Sequence, residues 1–125
     1  MSYSYSIRYD PPMPVVEVTL GASGDDPSIG PLTAIIDTGA DITVVPREYL
    51  ARLGAPVVAG GYLRSPWGER RRIKIYEVNL RVGEHSFCEM EVVGELDGHE
   101  VLLGRNVLNR LNLQLDGPGG IVVVR

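Results

Sequence analysis

Two acidic residues, Asp37 and Asp41, lie within the mainly apolar stretch AIIDTGADITVVP, which runs from Ala34 to Pro46. A carboxylate in apolar surroundings is costly unless hydrogen-bond donors or a counter-charge satisfy it. Asp and Gly are ordinary turn residues, so Asp-Thr-Gly alone favours a turn over a catalytic site. The isoleucines before it and the apolar run after it predict a turn inside the molecule, where an acid can serve acid–base chemistry.

The elements that position these acids are predicted to be short strands separated by Gly and Pro. The alternation changes phase at Ile75 and Tyr76, which predicts a bulge or bend, and Asp97-Gly98 predicts a hairpin-type turn. The pattern is that of a mostly β single domain over residues 1–125. We expect strands at 3–9, 15–20, 32–36, 72–82, 86–93 and 101–104, short helices at 46–54 and 105–111, and a closing hairpin at 113–124.

Composition excludes several classes of function. The chain has 125 residues, 44% of them hydrophobic, and a net charge of −4, which fits one domain with a core and argues against a nucleic-acid partner. We find no secretory signal and no apolar run of membrane-spanning length, so the cytoplasm is the default location and no membrane partner is expected. The single cysteine, Cys88, is expected to be a small core residue, and with His85 and His99 it lacks the spacing of a zinc site. The sequence also lacks a phosphate-loop motif, which argues against nucleotide binding. We therefore expect no metal and no cofactor.

Two motifs in this order resemble a known family. The segment IIDTGADITVVP resembles the active-site loop of the retropepsins, the retroviral-type aspartic proteases. The second motif, VLLGRNVLNRLNLQLDG from Val101 to Gly117, is similar to the helix-opening segment that packs beside that loop. The resemblance runs from about Leu32 to the C terminus, and the GPGG doubling-back near the end looks closer to non-viral members. It implies a closed β-barrel-like body with a flap hairpin and one or two short helices, assembled as a C2 homodimer.

The resemblance also assigns roles to residues. Asp37 matches the catalytic aspartate, and Thr38 matches the residue that bonds to the partner chain's loop. Gly39 matches the residue whose carbonyl accepts a hydrogen bond from the substrate backbone. Asp41 and Arg105 match an internal ion pair, which suits a guanidinium and a carboxylate. Ala40 stands where many pepsin-like enzymes have a Ser that can bond to the ionised acids, so a weakly acidic optimum is expected. The supporting residues are Ala40, Asp41, Leu103, Gly104 and Arg105.

A single Asp-Thr-Gly implies that two chains are needed. Peptide hydrolysis by aspartates uses one ionised carboxylate to take a proton from water and one protonated carboxyl to polarise the scissile carbonyl. The sequence contains one such tripeptide and no internal repeat. A homodimer would bring two copies of Asp37 together across a two-fold axis. A C-terminal hairpin over residues 112–125 is expected to dimerise, and the sequence leaves open whether the N-terminal strand joins it.

The stretch between the motifs, residues 57–78, is predicted to be a flap that closes over an extended polypeptide. Trp67 at its tip either covers substrate or packs on its own hairpin. The same stretch carries a cluster of basic residues. The simplest interpretation is that they are solvated side chains of the hairpin. A preference for acidic residues in the substrate is the second interpretation, and nucleic-acid binding is the third. The cluster comprises Arg64, Arg70, Arg71, Arg72 and Lys74. The expected substrate-binding residues are Gly39, Asp41, Ser65, Pro66, Trp67 and Gly68.

The leading hypothesis is therefore a homodimeric aspartic endopeptidase in which water is activated between two Asp37 carboxylates. The alternative is a catalytically silent peptide-binding or dimerisation module with the same fold.

Overall fold

A computed structural model describes residues 1–22, 24 and 28–125 of the chain. Within these residues the chain forms ten strands and two short helices. In chain order they are β1 (Ser2–Ser4), β2 (Val15–Gly21), β3 (Ile29–Ile36), β4 (Thr43–Pro46), α1 (Arg47–Leu53), β5 (Val57–Arg64), β6 (Arg70–Val82), β7 (His85–Glu95), β8 (Val101–Leu103), α2 (Arg105–Leu108), β9 (Leu113–Asp116) and β10 (Ile121–Val124).

The strands form one large and one small sheet. The large sheet has the order β2-β3-β8-β4-β7-β6-β5, and β2 also pairs with β6. That extra pairing closes six strands into a barrel and leaves β5 outside it as the hairpin partner of β6. The small sheet has the order β1-β10-β9, so the N-terminal strand pairs with β10 of its own chain. The expectation of a mostly β fold with a closed barrel is confirmed.

The core fills the barrel, because one face of each strand is apolar. Along β6 the buried residues are Tyr76, Val78, Leu80 and Val82, which alternate with more exposed ones as a half-buried strand requires. Their partners on β2 and β7, together with Leu50 of α1 and Val107 of α2, complete the same cluster. Both helices therefore pack against the same core.

The expected irregularity near Ile75 and Tyr76 is present, but on the partner strand. Tyr76 pairs with Val57 and Ile75 pairs with Ala59, so the additional residue is Val58 of β5. The helix α1 ends at Gly54, whose φ of 64° is left-handed, as the sequence predicts for a glycine stop. The second helix is shorter than predicted and ends at Leu108.

Two sequence-based expectations about strands are wrong. The first strand ends at Ser4, not at residue 9; the chain then turns, and the Tyr9 hydroxyl hydrogen-bonds to Glu100. That hydrogen bond, more than burial, raises the pKa of Tyr9. Asp97-Gly98 does not form a hairpin turn, because β4 lies between β7 and β8 in the sheet and the two strands do not pair.

Cys88 is exposed and is not the core residue that the sequence predicted. Val78 pairs with Met90 and Leu80 with Phe87, so β7 carries an additional residue between these two pairs. The bulge includes Glu89, whose φ is 54°. Phe87 and Met90 both face the core, and Cys88 therefore shares the outer side with Glu89.

Neither helix of the described part of the chain has the length and apolar character that crossing a membrane requires.

A pair of matched substitutions tests this core. Leu80 is 1% exposed and Leu96 is 72% exposed. We expect Leu80→Ala to lower the free energy of unfolding by about 3 kcal/mol, because it leaves a cavity in the barrel, and Leu96→Ala to change it by less than about 0.5 kcal/mol. Urea denaturation followed by circular dichroism measures both. Equal losses for the two variants would contradict this placement of the core.

Candidate active site

The Asp37 loop, residues 37–41, leaves the end of β3 beside the end of β8. The two strands run parallel, and the Asp37 backbone N–H continues their ladder by donating to the Leu103 carbonyl at 3.0 Å. The Gly39 N–H donates to Asp37 Oδ1 at 3.0 Å, and the Ala40 N–H donates to the Asp37 carbonyl at 3.2 Å. These bonds fold the loop into a tight turn that fixes the Asp37 carboxylate.

The turn lies at the surface of the chain, not inside it as the sequence predicted. Asp37 is half-buried, whereas Thr38 and Gly39 are exposed. The physical reason is that the flanking strands turn their apolar side chains into the barrel while the loop passes beyond its end. Among the described residues, the Asp37 carboxylate accepts one hydrogen bond, from the Gly39 N–H to Oδ1, and its Oδ2 has no partner.

Arg105, the first residue of α2, holds this loop in place. Its backbone N–H donates to the Ala40 carbonyl and its Nη1 to the Thr38 carbonyl, both at 2.8 Å. Its Nη2 contacts Asp41 Oδ1, so the pair that the sequence suggested is joined in the structure. Because the Asp41 side chain is 84% exposed, solvent screening makes the ion pair itself weak. The larger effect of Arg105 is geometric, since one guanidinium fork spans both ends of the loop.

A buried polar network behind the loop was not predicted from the sequence. The Thr43 hydroxyl, which is fully buried, donates to Asn106 Oδ1 at 2.9 Å and accepts from the Gly104 N–H at 3.0 Å. The Thr43 N–H also donates to Asn106 Oδ1, and Asn106 Nδ2 donates to the Glu91 carbonyl at 2.8 Å. One signal could have revealed it: Thr43 is the polar member of an apolar run, and Asn106 follows Arg105 in the second motif.

Gly104 is required where β8 meets α2. A Cβ atom there would lie 2.6 Å from the Ile42 carbonyl carbon and 2.8 Å from the Thr43 nitrogen. Both are backbone atoms, which cannot shift cheaply. Leu103 before it is fully buried. These two supporting residues therefore set the distance between the loop and α2.

Beside the loop, a row of apolar residues crosses all seven strands of the large sheet on the face opposite the core. Consecutive members are register partners, and none belongs to the core cluster. Its member on β3 is Ile35, which precedes Asp37 by two residues, so strand alternation places the row on the side of the catalytic candidate. This cross-sheet row consists of Val15, Ile35, Leu102, Val44, Val93, Ile75 and Ala59.

The tip of the β5–β6 hairpin, Ser65 to Gly68, forms a compact turn. The Ser65 hydroxyl accepts from the backbone N–H groups of Trp67 at 3.3 Å and Glu69 at 3.1 Å. Trp67 is 87% exposed, so it does not pack on its own hairpin. Over the described ranges no hydrogen bond joins this tip to the Asp37 loop. Ser65, Pro66, Trp67 and Gly68 are therefore together but separate from Asp37, Gly39 and Asp41.

No group of three or more His, Cys, Asp or Glu side chains comes together to hold a metal ion in the part of the chain that the structure describes.

Comparison with known proteins places these features in a family. A family model described as gag-polyprotein putative aspartyl protease matches residues 29–110, which include the Asp37 loop and Arg105. No curated protein matches the sequence significantly.

Solved structures resemble the fold at low sequence identity. A retropepsin-like aspartic protease from Rickettsia conorii aligns over 99% of this chain and 88% of its own, with a TM-score of 0.69 and 15% identity. The retroviral protease-like domain of Ddi1 from Leishmania major aligns over 90% and 87%, with a TM-score of 0.56 and 15% identity. EIAV protease complexed with the inhibitor HBY-793 aligns over 86% and 93%, with a TM-score of 0.50 and 20% identity. At these identities the likeness concerns the fold.

The buried network behind the loop makes a testable contribution to stability. We expect Thr43→Val to lower the free energy of unfolding by about 2 kcal/mol, because it leaves the buried Gly104 N–H without an acceptor. Thr33→Val, on an exposed strand position, is the matched control and should change stability by less than about 0.5 kcal/mol. Chemical denaturation measures both; a Thr43→Val protein as stable as the control would show that the network does not matter.

Proposed function

Because this chain belongs to the gag-polyprotein putative aspartyl protease family, we propose that it is a homodimeric aspartic endopeptidase with Asp37 as its catalytic residue. The observation that carries the proposal is the Asp37 carboxylate, fixed by Gly39 and left open to one side, in a loop that Arg105 holds from behind. Such fixed geometry is what acid–base catalysis on a bound peptide requires.

The reaction needs a second carboxylate, which we propose comes from another copy of the chain. Within residues 1–22, 24 and 28–125, the other acid of the loop, Asp41, is already engaged by Arg105. A two-fold axis beside Asp37 would supply an identical acid, and Thr38, exposed in the single chain, would hydrogen-bond across that axis. One Asp37 would then take the proton of the attacking water, while its protonated mate polarises the peptide carbonyl.

Two outer elements would complete the assembly. We assign the whole of residues 1–125 to one protease domain, with the hairpin at 57–78 as its flap and the segment at 112–125 as the dimerisation hairpin. The β9 strand supports the second assignment, because it forms an edge of the small sheet and its Leu115 is half-exposed. An exposed strand edge of this kind can pair with the same edge of a second copy.

The substrate would be an extended polypeptide lying along the cross-sheet row. The more accessible members of the row, which are Leu102, Val44, Ile75 and Ala59, offer apolar contact for side chains of the peptide. The carbonyl of the exposed Gly39 beside them can accept a hydrogen bond from the peptide backbone. The tip residues Ser65 to Gly68 would close over the peptide and exclude water from the acids. The exposed Trp67 would then cover the bound chain.

Replacement of the catalytic acid tests the proposal. Asp37→Asn should reduce peptide cleavage by about a thousandfold or more, since an amide can neither accept the proton of water nor return it. The control Asp10→Asn changes an exposed aspartate of the N-terminal turn and should cleave like the wild type. Mass spectrometry of a random peptide library incubated with each protein gives both rates.

Two outcomes of that experiment would contradict the proposal. Undiminished cleavage by Asp37→Asn would remove Asp37 from the reaction. A wild-type protein that binds peptides but cleaves none between weakly acidic and neutral pH would favour the catalytically silent peptide-binding module.

Ala40 makes a second prediction, about pH. We expect activity to be highest at weakly acidic pH, because Ala40 offers no hydroxyl to the ionised acids. In Ala40→Ser a hydroxyl could donate to the ionised form and favour it, so the acidic limb of the pH–rate profile should move to lower pH. Profiles of kcat/KM for the two proteins measure the shift. A limb that moves to higher pH, or a wild type active only in strong acid, would contradict the role given to this position.

A further inference from the structure

The β5–β6 hairpin carries an unusual concentration of positive charge for a chain of net charge −4. Arg64 and Arg70 are direct cross-strand partners, an arrangement of like charges that destabilises a hairpin. Arg70 stacks on the Tyr62 ring at 4.6 Å, and Arg71 contacts Glu95. Arg72 and Lys74, by contrast, make no ion pair with any residue that the structure describes. The charges of Arg72 and Lys74 are thus available to an anionic partner.

Arg71, Arg72 and Lys74 of the hairpin line a groove of about 1000 Å³ between the hairpin and the bend that follows β7, whereas Arg64 and Arg70 lie outside it. Arg47 of α1 adds a third cation whose charge no described acid neutralises, while the acids of the lining are Glu95, already paired with Arg71, and Asp97. The groove is therefore net positive on a protein that is net negative.

The same groove has an apolar wall that is left open to solvent. Tyr62 is 57% exposed, Leu96 is 72% exposed, and Val57 and Val58 beside them are about half-exposed. Exposed apolar side chains gathered in one groove mark a binding surface more often than scattered ones do. Apolar side chains and unpaired cations together fit a ligand that combines aliphatic or aromatic groups with carboxylates.

We infer that this groove binds an acidic segment of a polypeptide, in which Asp or Glu side chains meet Arg72, Lys74 and Arg47 while apolar side chains pack on Tyr62 and Leu96. The identification of this segment as part of the substrate rests on the proposed protease function. The binding of an acidic segment to the groove does not depend on it. The segment lies away from the bond to be cleaved, because the groove does not include the Asp37 loop. Acidic residues flanking a cleavage site would thus be selected by the hairpin.

The test is a fluorescence-anisotropy titration of a labelled peptide of alternating Asp and Leu against a peptide with Lys in place of Asp. The chain of 125 residues carrying Asp37→Asn is used, so that no peptide is cleaved. We expect the acidic peptide to bind at least about tenfold more tightly, and its affinity to fall as salt is added. Equal binding of the two peptides would overturn the inference.

Matched variants locate the binding site. Arg72→Glu with Lys74→Glu should weaken the acidic peptide by about tenfold, and Leu96→Ala should weaken it without altering salt dependence. Arg81→Glu with Arg52→Glu makes the same change in net charge at exposed positions outside the groove and should leave binding unchanged. If both double variants weaken binding equally, net charge alone explains the effect, and the groove is not the binding site.

Two further readouts separate this inference from its competitors. If a single-stranded oligonucleotide competes with the acidic peptide and binds more tightly, the partner of the groove is a nucleic acid and the inference is wrong. Cleavage of neutral peptides by the wild type reports on the protease function alone. Failure of acidic-peptide binding with cleavage intact would therefore refute the groove, and the reverse result would refute the catalytic proposal.

Discussion

The contact on which the site depends is that between the start of α2 and the Asp37 loop. Arg105 reaches the Thr38 carbonyl, the Ala40 carbonyl and the Asp41 carboxylate from one position. A cation at a helix start is disfavoured by the helix dipole, and here these acceptors compensate it. The loop and the helix are far apart in sequence, so the loop acquires its shape only once the barrel has brought β3 and β8 side by side. The geometry of the Asp37 carboxylate is therefore established only when the barrel folds.

The large sheet serves two purposes because each of its strands also carries one apolar residue of the cross-sheet row on the face away from the core. One face fills the barrel, and the other carries the cross-sheet row next to Asp37. Ile35 and Ile36 illustrate the division, since Ile36 packs against the core whereas Ile35 belongs to the row. A sheet with one solvated face would alternate apolar and polar residues, so the continuous apolar runs on β3 and β4 signal a second layer to be covered. Val15, Ile35 and Val93 of the row are already buried within the chain. In the proposed function the substrate covers the more accessible members.

The sequence predicts what local pattern and motif determine, and fails where pairing across the sheet decides. Alternation located β2, β6 and β7, and the two motifs indicated the contact between Asp41 and Arg105. The bulge that exposes Cys88 depends on the register between β6 and β7, which no local pattern contains. The sequence Asp97-Gly98 is typical of a hairpin turn, but β4 lies between β7 and β8 in the sheet, so these two strands do not pair. Likewise Thr43 becomes a buried acceptor only because Gly104 and Asn106 arrive from another part of the chain.

Symmetry links the two proposals. A homodimer built on the Asp37 axis would present each element twice, one copy on either side of the reacting bond. A peptide has a direction, so its two flanks would meet identical hairpins in opposite orientation. An acid-binding groove on each hairpin would then act on residues before the bond as well as after it. The cations would also lie on both sides of two like-charged acids in a molecule of net charge −4 per chain, and draw acidic polypeptides towards a centre that would otherwise repel them.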